Sequence, residues 1–173
     1  MDIERKGGTT LKGNPLTLVG PEIKVGQKAP EFTTLAGDLS PVTLASSKGK
    51  TRLFIAMPSL DTPVCDAEAR RFNEEVSKIP AVESIVVTVD LPFAQGRFCQ
   101  TAGIKNLKMA SDHRDTSFGK AYGTLIKELR LLSRAIFIVG ADDTVQYVEY
   151  VKEASNHPNY EAALNALKAG AAH

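Results

Sequence analysis

Short runs of apolar residues alternate with amphipathic stretches through the middle of the chain. Three nearly continuous apolar runs, at 53–57, 85–89 and 136–139, predict strands that are covered on both faces. Between the first two runs, apolar residues recur at the spacing of one helix face, namely Cys65, Ala69, Phe72 and Val76. A strand, a helix and a strand of these lengths predict a right-handed βαβ unit.

Proline and glycine mark where the predicted helices begin and end. In the first helix Thr62 is predicted as the N-cap and Pro63 as the first residue, so Cys65 falls at the third position. A second helix is predicted over 92–102, where a proline begins the segment and a glycine follows it. A further apolar stripe predicts a terminal helix that stops at Gly170, and its members are Tyr160, Ala163, Leu164 and Leu167.

The beginning of the chain has a different pattern. Residues 1–25 contain short apolar segments interrupted by Gly7-Gly8 and by Gly13-Asn14, which favour short strands joined by tight turns in a β-hairpin. About twenty-five residues are too few for an independent core. We therefore expect this hairpin to be an extension of a single domain over 1–173.

A second hairpin is predicted towards the end of the chain. A turn at 140–143 separates the apolar run at 136–139 from apolar residues that alternate up to Val151, as in an antiparallel pair at a sheet edge. Together with the βαβ unit, this pattern predicts both parallel and antiparallel strands. The predicted fold class is α/β, with a central mixed β-sheet flanked by helices.

Composition and charge exclude several classes of function. The 173 residues include 21 Lys and Arg against 20 Asp and Glu, and a net charge of +1 gives no electrostatic reason to expect nucleic acid or an anionic membrane. The first residues carry acids rather than an apolar leader, and no apolar run approaches the ~20 residues of a membrane helix, so we expect a cytoplasmic protein. No Gly-rich loop indicates a nucleotide cofactor, and the spacing of His113, His157 and His173 indicates no metal site.

Cys65 is the residue that most directly suggests chemistry. Unpaired N–H groups and the helix dipole favour an anion at a helix N-terminus, so a thiol in the first turn is stabilised as a nucleophilic thiolate. The other cysteine, Cys99, falls in the second predicted helix, and the two can act as a redox couple. They do not form a C-x-x-C motif, which argues against a thioredoxin-type oxidoreductase.

The residues around Cys65 carry a family resemblance. Pro58, Thr62 and Cys65 form a P-x-x-x-T-x-x-C pattern that resembles the active-site motif of the peroxiredoxins. The longer string at 57–66, MPSLDTPVCD, is similar to the thiol peroxidase branch of that family. Further segments resemble this branch in order and spacing, and they lie at 96–99, 111–115 and 133–137.

The resemblance implies a thioredoxin-like fold and an atypical two-cysteine peroxidase that serves in antioxidant defence. Cys65 would be the peroxidatic cysteine, which reduces hydrogen peroxide and organic hydroperoxides to water and alcohols and becomes a sulfenic acid. Cys99 would be the resolving cysteine, which forms an intramolecular disulfide that thioredoxin reduces. Thr62 and Arg134 match the family's hydrogen-bonding hydroxyl and activating arginine, and Pro58 matches the proline that shields the sulfenic acid. The resemblance also implies a homodimer, with no cofactor and no metal.

Two structural expectations accompany this interpretation. Because a disulfide requires Cα atoms within about 7 Å, we expect the first turn around Cys65 and part of the Cys99 helix to unwind on oxidation. Hydrophobicity also suggests an apolar mouth that favours organic hydroperoxides, lined by Phe93, Phe98, Ile126 and Leu129.

Other interpretations remain open from the residues alone. A cysteine on a helical stripe is often an inert core residue, and an arginine at the start of a strand is often only a solvated end residue. A redox relay would use the same sulfenic acid but would pass the oxidation to another protein. A non-catalytic domain with a permanent Cys65–Cys99 disulfide would gain roughly 4 kcal/mol from loop closure.

Overall fold

Residues 2–171, which the computed structural model describes, contain eleven β-strands and four α-helices. The strands are β1 (Glu4–Leu11), β2 (Asn14–Val19), β3 (Thr33–Leu35), β4 (Pro41–Thr43), β5 (Arg52–Ala56), β6 (Glu83–Thr88), β7 (Lys108–Ser111), β8 (Leu125–Ile126), β9 (Leu131–Leu132), β10 (Ala135–Val139) and β11 (Val145–Tyr150). The helices are α1 (Pro63–Val76), α2 (Pro92–Ala102), α3 (Ser117–Ala121) and α4 (Tyr160–Ala171). A short 3₁₀ turn spans Leu44–Ser47.

Seven of these strands form one mixed sheet in the order β11-β10-β5-β6-β7-β3-β4. β5, β6 and β7 are parallel, whereas β10 pairs antiparallel with both β5 and β11. The predicted βαβ unit is confirmed, because α1 connects the parallel pair β5 and β6. The predicted hairpin at a sheet edge is confirmed as well, since β11 is the outermost strand on that side.

The core lies on both faces of the large sheet. Every residue of β5 and of β10 is buried, as the continuous apolar runs predict. One face packs an aromatic cluster of Phe32, Phe54, Phe118, Tyr122 and Phe137. The other face packs against α1 and α4, and this second cluster contains Leu53, Ile55, Cys65, Phe72 and Leu167.

The N-terminal hairpin is confirmed, and it belongs to a second sheet. β1 and β2 pair antiparallel, and β8 and β9 extend them into the order β1-β2-β8-β9. The chain does not turn at Gly7-Gly8, because β1 continues through both residues and only its register with β2 shifts between Arg5 and Thr9. Arg5 ties this sheet to the rest of the protein by donating from Nη2 to the Gly123 carbonyl at 2.5 Å.

The predicted helix boundaries agree with the structure except at the end of α4. α2 spans Pro92–Ala102, and Gly103 follows it in the left-handed conformation with φ +68°, which suits glycine. Gly170 does not stop the terminal helix, since α4 continues to Ala171. Within residues 2–171, no helix is long and apolar enough to cross a bilayer.

Candidate active site

Cys65 lies where the first turn of α1 meets the core beneath β5. Thr62 is the N-cap in an extended conformation and Pro63 is the first helical residue, as predicted, so Cys65 occupies the third position. Its side chain has 0% exposure and packs in the cluster that also contains Leu60 and Ala69. The Cys65 thiol is therefore inaccessible to solvent in this conformation. A thiol that attacks external substrates is expected to be accessible to them.

Arg134 lies directly beside the sulfur. It precedes β10, and its Nη1 donates to Cys65 Sγ at 3.3 Å and to Glu68 Oε1 at 2.6 Å. The other side of the guanidinium is occupied by the Ala154 carbonyl, which accepts from Nε at 3.3 Å and from Nη2 at 2.9 Å. Burial opposes the charge, but Glu68 and Cys65 outweigh it and raise the pKa of Arg134. The structure therefore places a fixed positive charge at the thiol.

Glu68 is a residue of this site that the sequence analysis did not identify. It lies three residues after Cys65, on the same face of α1, and it is completely buried. Burial raises its pKa to about 7, even though Arg134 acts in the opposite direction. Within residues 2–171, its Oε2 has no hydrogen-bond partner. The sequence does contain a signal for Glu68, because it is an acidic residue within the apolar stripe of the helix, between Cys65 and Ala69. A residue on that face of the helix is expected to be buried together with its apolar neighbours.

Thr62 and Pro58 belong to the segment that leads into α1. The Thr62 hydroxyl donates to the Ser59 carbonyl at 3.1 Å, so in this conformation it is directed neither at Cys65 Sγ nor at the first helical N–H groups. Pro58 is half-buried in the turn that directly follows β5. Both residues are therefore close to Cys65 in the sequence. The Thr62 hydroxyl, however, is hydrogen-bonded within a local turn and not to the thiol.

Asp90 anchors this same segment and was also not identified from the sequence. Its carboxylate accepts from Ser59 Oγ at 2.7 Å, from the Leu60 N–H at 2.8 Å and from Thr88 Oγ1 at 2.9 Å. These bonds tie the turn before α1 to the end of β6. The position of the turn therefore depends on a residue about thirty positions further along the chain.

Cys99 lies in α2 and is half-buried, with a free thiol like that of Cys65. Burial raises the pKa of the Cys99 thiol. It packs against the hydrophobic cluster that contains Cys65. Its carbonyl accepts from the N–H groups of Gly103 and Ile104, which close the helix. Both cysteines are thus in regular helices, as predicted.

A surface cavity of about 550 Å³ separates the turn before α1 from α2. Its lining is mixed in polarity and consists of Ser59, Leu60, Asp61, Asp90, Ala94, Arg97, Phe98 and Thr101. Of the four residues expected to form an apolar mouth, Phe98 lines this cavity. Ile126 is buried in β8, whereas Phe93 and Leu129 are exposed, with 65% and 40% of their surface accessible. The cavity is therefore less apolar than the expected mouth.

In the part of the chain that the structure describes, no three or more His, Cys, Asp or Glu residues are grouped as metal ligands. The groups present are a thiol, a guanidinium and a carboxyl group, which together can stabilise and use a thiolate.

Comparison with known proteins agrees with this geometry. The Redoxin family model matches residues 24–164. A thiol peroxidase of Halalkalibacterium halodurans is 63% identical over 160 residues, covering 92% of this chain and 96% of that protein. The thiol peroxidase of Bacillus subtilis is 52% identical with the same coverage. A peroxiredoxin-like protein from Aquifex aeolicus superimposes with a TM-score of 0.88 at 42% identity, covering 95% of this chain and 96% of that one.

The mixed sheet, its flanking helices, the Redoxin family match and this structural neighbour define a thioredoxin-like α/β fold. The chain belongs to the Redoxin family and, within it, to the thiol peroxidases, which are peroxidases of the peroxiredoxin type.

Proposed function

We propose that this enzyme reduces hydroperoxides at Cys65, that Cys99 resolves the oxidised sulfur, and that thioredoxin returns both cysteines to the thiol state. The observation that carries the proposal is the 3.3 Å contact between Arg134 Nη1 and Cys65 Sγ, in a site where both residues are buried. A cation at this distance in a low-dielectric site favours a thiolate over a thiol.

In the proposed first step the Cys65 thiolate attacks one oxygen of the peroxide. The S–O bond forms as the O–O bond breaks, so the sulfur is oxidised to sulfenic acid and an alkoxide or hydroxide leaves, to be protonated to alcohol or water. A free thiol is only about 3% ionised at pH 7, so complete ionisation raises the rate at most about thirtyfold. Most of the acceleration must therefore come from oriented donors that stabilise the separating charge, and the Arg134 guanidinium is suited to this role.

Burial of Cys65 requires that the site opens before a peroxide can enter. The segment to move is the turn at 58–62, because it leads into α1 and borders the cavity beside α2. Movement there would also release the Thr62 hydroxyl from the Ser59 carbonyl, so that it could donate to the sulfur or the peroxide. We propose this hydroxyl role for Thr62, and we propose that Pro58 limits access of a second peroxide to the sulfenic acid.

In the proposed second step Cys99 attacks the sulfenic acid, water leaves, and a Cys65–Cys99 disulfide forms. The first turn of α1 and the last turns of α2 would have to unwind for the two Cα atoms to come within about 7 Å. The dithiol of thioredoxin would then reduce this disulfide by exchange. Both cysteines have free thiols in this structure, which argues against a permanent Cys65–Cys99 disulfide.

The proposed enzyme is a homodimer located in the cytoplasm, where reduced thioredoxin is available. Each subunit would be a single domain over 1–173 with the hairpin at 1–25 as an extension. Support for the extension comes from the second sheet, in which β2 pairs with β8 and so joins the hairpin to the body of the protein.

Peroxide consumption with thioredoxin, thioredoxin reductase and NADPH tests the proposal. Cys65→Ser is expected to abolish turnover, since no nucleophile remains. Cys99→Ser is expected to consume one equivalent of peroxide per chain and then stop, with the sulfenic acid on Cys65 identified by mass spectrometry. Sustained turnover in either variant would contradict the proposed roles, and slow turnover with a trapped mixed disulfide to another protein would favour a redox relay.

A further inference from the structure

We propose that Glu68 holds the proton that Cys65 gives up, so that the reactive site is a Cys65 thiolate beside a neutral Glu68 carboxylic acid. In this scheme Glu68 then supplies the same proton to the leaving alkoxide. The inference rests on the proposed role of Cys65 as the attacking residue.

The geometry assigns two acidic groups to one cation. Arg134 Nη1 donates both to Cys65 Sγ and to Glu68 Oε1, and all three side chains are buried. If the thiol and the carboxyl group were both ionised, this buried site would carry two anions and one cation. An unmatched charge away from water costs several kcal/mol, so ionisation of Cys65 requires that Glu68 be neutral. One cation in this buried site is therefore matched by one anion, either the sulfur or the carboxylate.

The second oxygen of Glu68 supports this assignment. Oε1 accepts from Arg134, whereas no donor or acceptor within residues 2–171 reaches the buried Oε2. An ionised carboxylate leaves such an oxygen without the donors it needs. Protonation makes this oxygen part of a neutral hydroxyl, which costs less to bury than a charged oxygen and can donate to an alkoxide that forms in the site.

Among the neighbouring charges, Glu149 favours the neutral form of Glu68, whereas Arg134 favours the ionised form. Glu149 of β11 adds a negative potential at Glu68, and Tyr160 of α4 lies near the same group with its own pKa raised by burial to about 12. Arg71 lies over the Tyr160 ring at 4.2 Å, and His157 shares a hydrogen bond with the Tyr160 hydroxyl at 2.6 Å. Arg71 and His157 thus contact Tyr160. In the described part of the chain, Arg134 is the one cation that hydrogen-bonds Glu68. The pKa of Glu68, raised to about 7, agrees with a proton held near neutral pH.

Charge and atoms balance through the step. Before attack the site contains the guanidinium, the thiolate and the neutral carboxylic acid. Attack transfers the hydroxyl oxygen to sulfur, the alkoxide leaves with the electron pair of the broken O–O bond, and Glu68 gives it a proton to form the alcohol. Afterwards the site contains the guanidinium, the sulfenic acid and the Glu68 carboxylate. One cation thus faces one anion at both stages, so the reaction creates no unmatched buried charge.

Glu68→Gln tests this role, because the amide can still accept from Arg134 but cannot carry the proton. The matched control is Asp66→Asn. Asp66 is an acid in the same turn of α1, but it lies near the surface and pairs with Arg70. Both changes are made in the Cys99→Ser protein, so that a single oxidation is followed by rapid quenching and mass spectrometry. Oxidation of the parent protein by peroxide tests the proposed function separately, whatever the variants do.

Two opposite effects are expected in Glu68→Gln. Alkylation of Cys65 by iodoacetamide near pH 6 should rise about tenfold, because no second acid competes for Arg134. Oxidation by an alkyl hydroperoxide with a poor leaving group should fall about a hundredfold, and the rate should depend more steeply on leaving-group acidity. Asp66→Asn should leave both rates within about twofold of the parent. Unchanged rates in Glu68→Gln, or a parallel loss of both, would overturn the role.

Infrared difference spectroscopy of the parent protein gives a test that does not depend on the folding of a variant. Oxidation of Cys65 should convert a protonated carboxylic acid band into a carboxylate band. The absence of that conversion would overturn the proposal.

Discussion

Arg134 is held by groups from two distant parts of the chain. Glu68 and Cys65 on α1 contact one side of its guanidinium, and the Ala154 carbonyl in the loop after β11 accepts from the other side. Because the charge is already fixed in place, little reorganisation is needed when negative charge moves from sulfur to oxygen during the reaction. The orientation of the guanidinium therefore matters as much as its charge.

Arg134→Lys tests this point about orientation. Lysine keeps the positive charge but has no planar fork, so it cannot contact Cys65, Glu68 and Ala154 at once. We expect the second-order rate of Cys65 oxidation to fall by about a hundredfold or more. Arg70→Lys, on the exposed surface of α1, is the control and should change the rate by less than about twofold. Equal rates in the parent and Arg134→Lys would show that charge alone is sufficient.

At the scale of elements, each cysteine lies near one end of its helix. Cys65 is close to the N-terminus of α1, and Cys99 is close to the C-terminus of α2. α1 begins at Pro63, only two residues before Cys65, so a few residues separate the thiol from irregular chain. α2 ends three residues after Cys99, where the Cys99 carbonyl accepts the N–H groups of Gly103 and Ile104. Each cysteine is thus close enough to a helix end for local unwinding to free it, without loss of the whole helix.

Gly103→Ala tests whether the end of α2 unwinds on oxidation. The residue has φ +68° with open space around it, so alanine adds strain of about 1 kcal/mol to the closed helix end without a clash. If this end is open in the disulfide form, the strain is relieved there, and the Cys65–Cys99 equilibrium should shift about fivefold towards the disulfide. The measurement is the midpoint in a thiol–disulfide redox buffer.

The control for this experiment is Gly49→Ala. Gly49 has φ +82° and equally open surroundings, but it lies in the loop before β5, away from both thiols in the chain. Its substitution should lower stability by a similar amount and leave the midpoint unchanged. A midpoint in Gly103→Ala that equals the parent value would argue against unwinding at this end of α2.

At the scale of the whole molecule, two buried carboxylic acids make stability depend on pH. Burial raises the pKa of Glu68 to about 7 and that of Asp112 to about 6, although Asp112 accepts the N–H groups of Phe118 and Gly119. The folded state therefore binds these protons more tightly than the unfolded chain does. Their contribution to stability is complete below the unfolded pKa values and is lost as the pH rises through about 6 to 7.

Urea unfolding at several pH values measures this dependence. In the reduced protein, with Cys65 present, the free energy of unfolding should decline between about pH 5 and pH 8. With Glu68→Gln added, that decline should be smaller by roughly 2 kcal/mol, because the raised pKa of Glu68 is removed. Identical declines with and without Glu68 would mean that its folded pKa is close to the ordinary value.

Much of the fold near Cys65 could be predicted from the sequence. The apolar runs of β5, β6 and β10, the limits of α2 and the N-terminus of α1 depend on periodicity and on proline and glycine at helix ends, which act over a few residues. The short strands β3, β4, β7, β8 and β9 were not predicted, because two to four residues carry no readable period. They are strands only because distant segments offer hydrogen bonds to them.

The sequence by itself determined that Cys65 stands in the first turn of a helix after a buried strand, and its motif indicated the family. Only the tertiary structure decided that Arg134 contacts both Cys65 and Glu68, that Ala154 holds it there, and that the thiol is buried. The physical reason is the separation along the chain over which each kind of interaction acts. Local patterns reflect constraints within one turn or strand, whereas the charge balance of the site depends on groups brought together by packing of the whole chain.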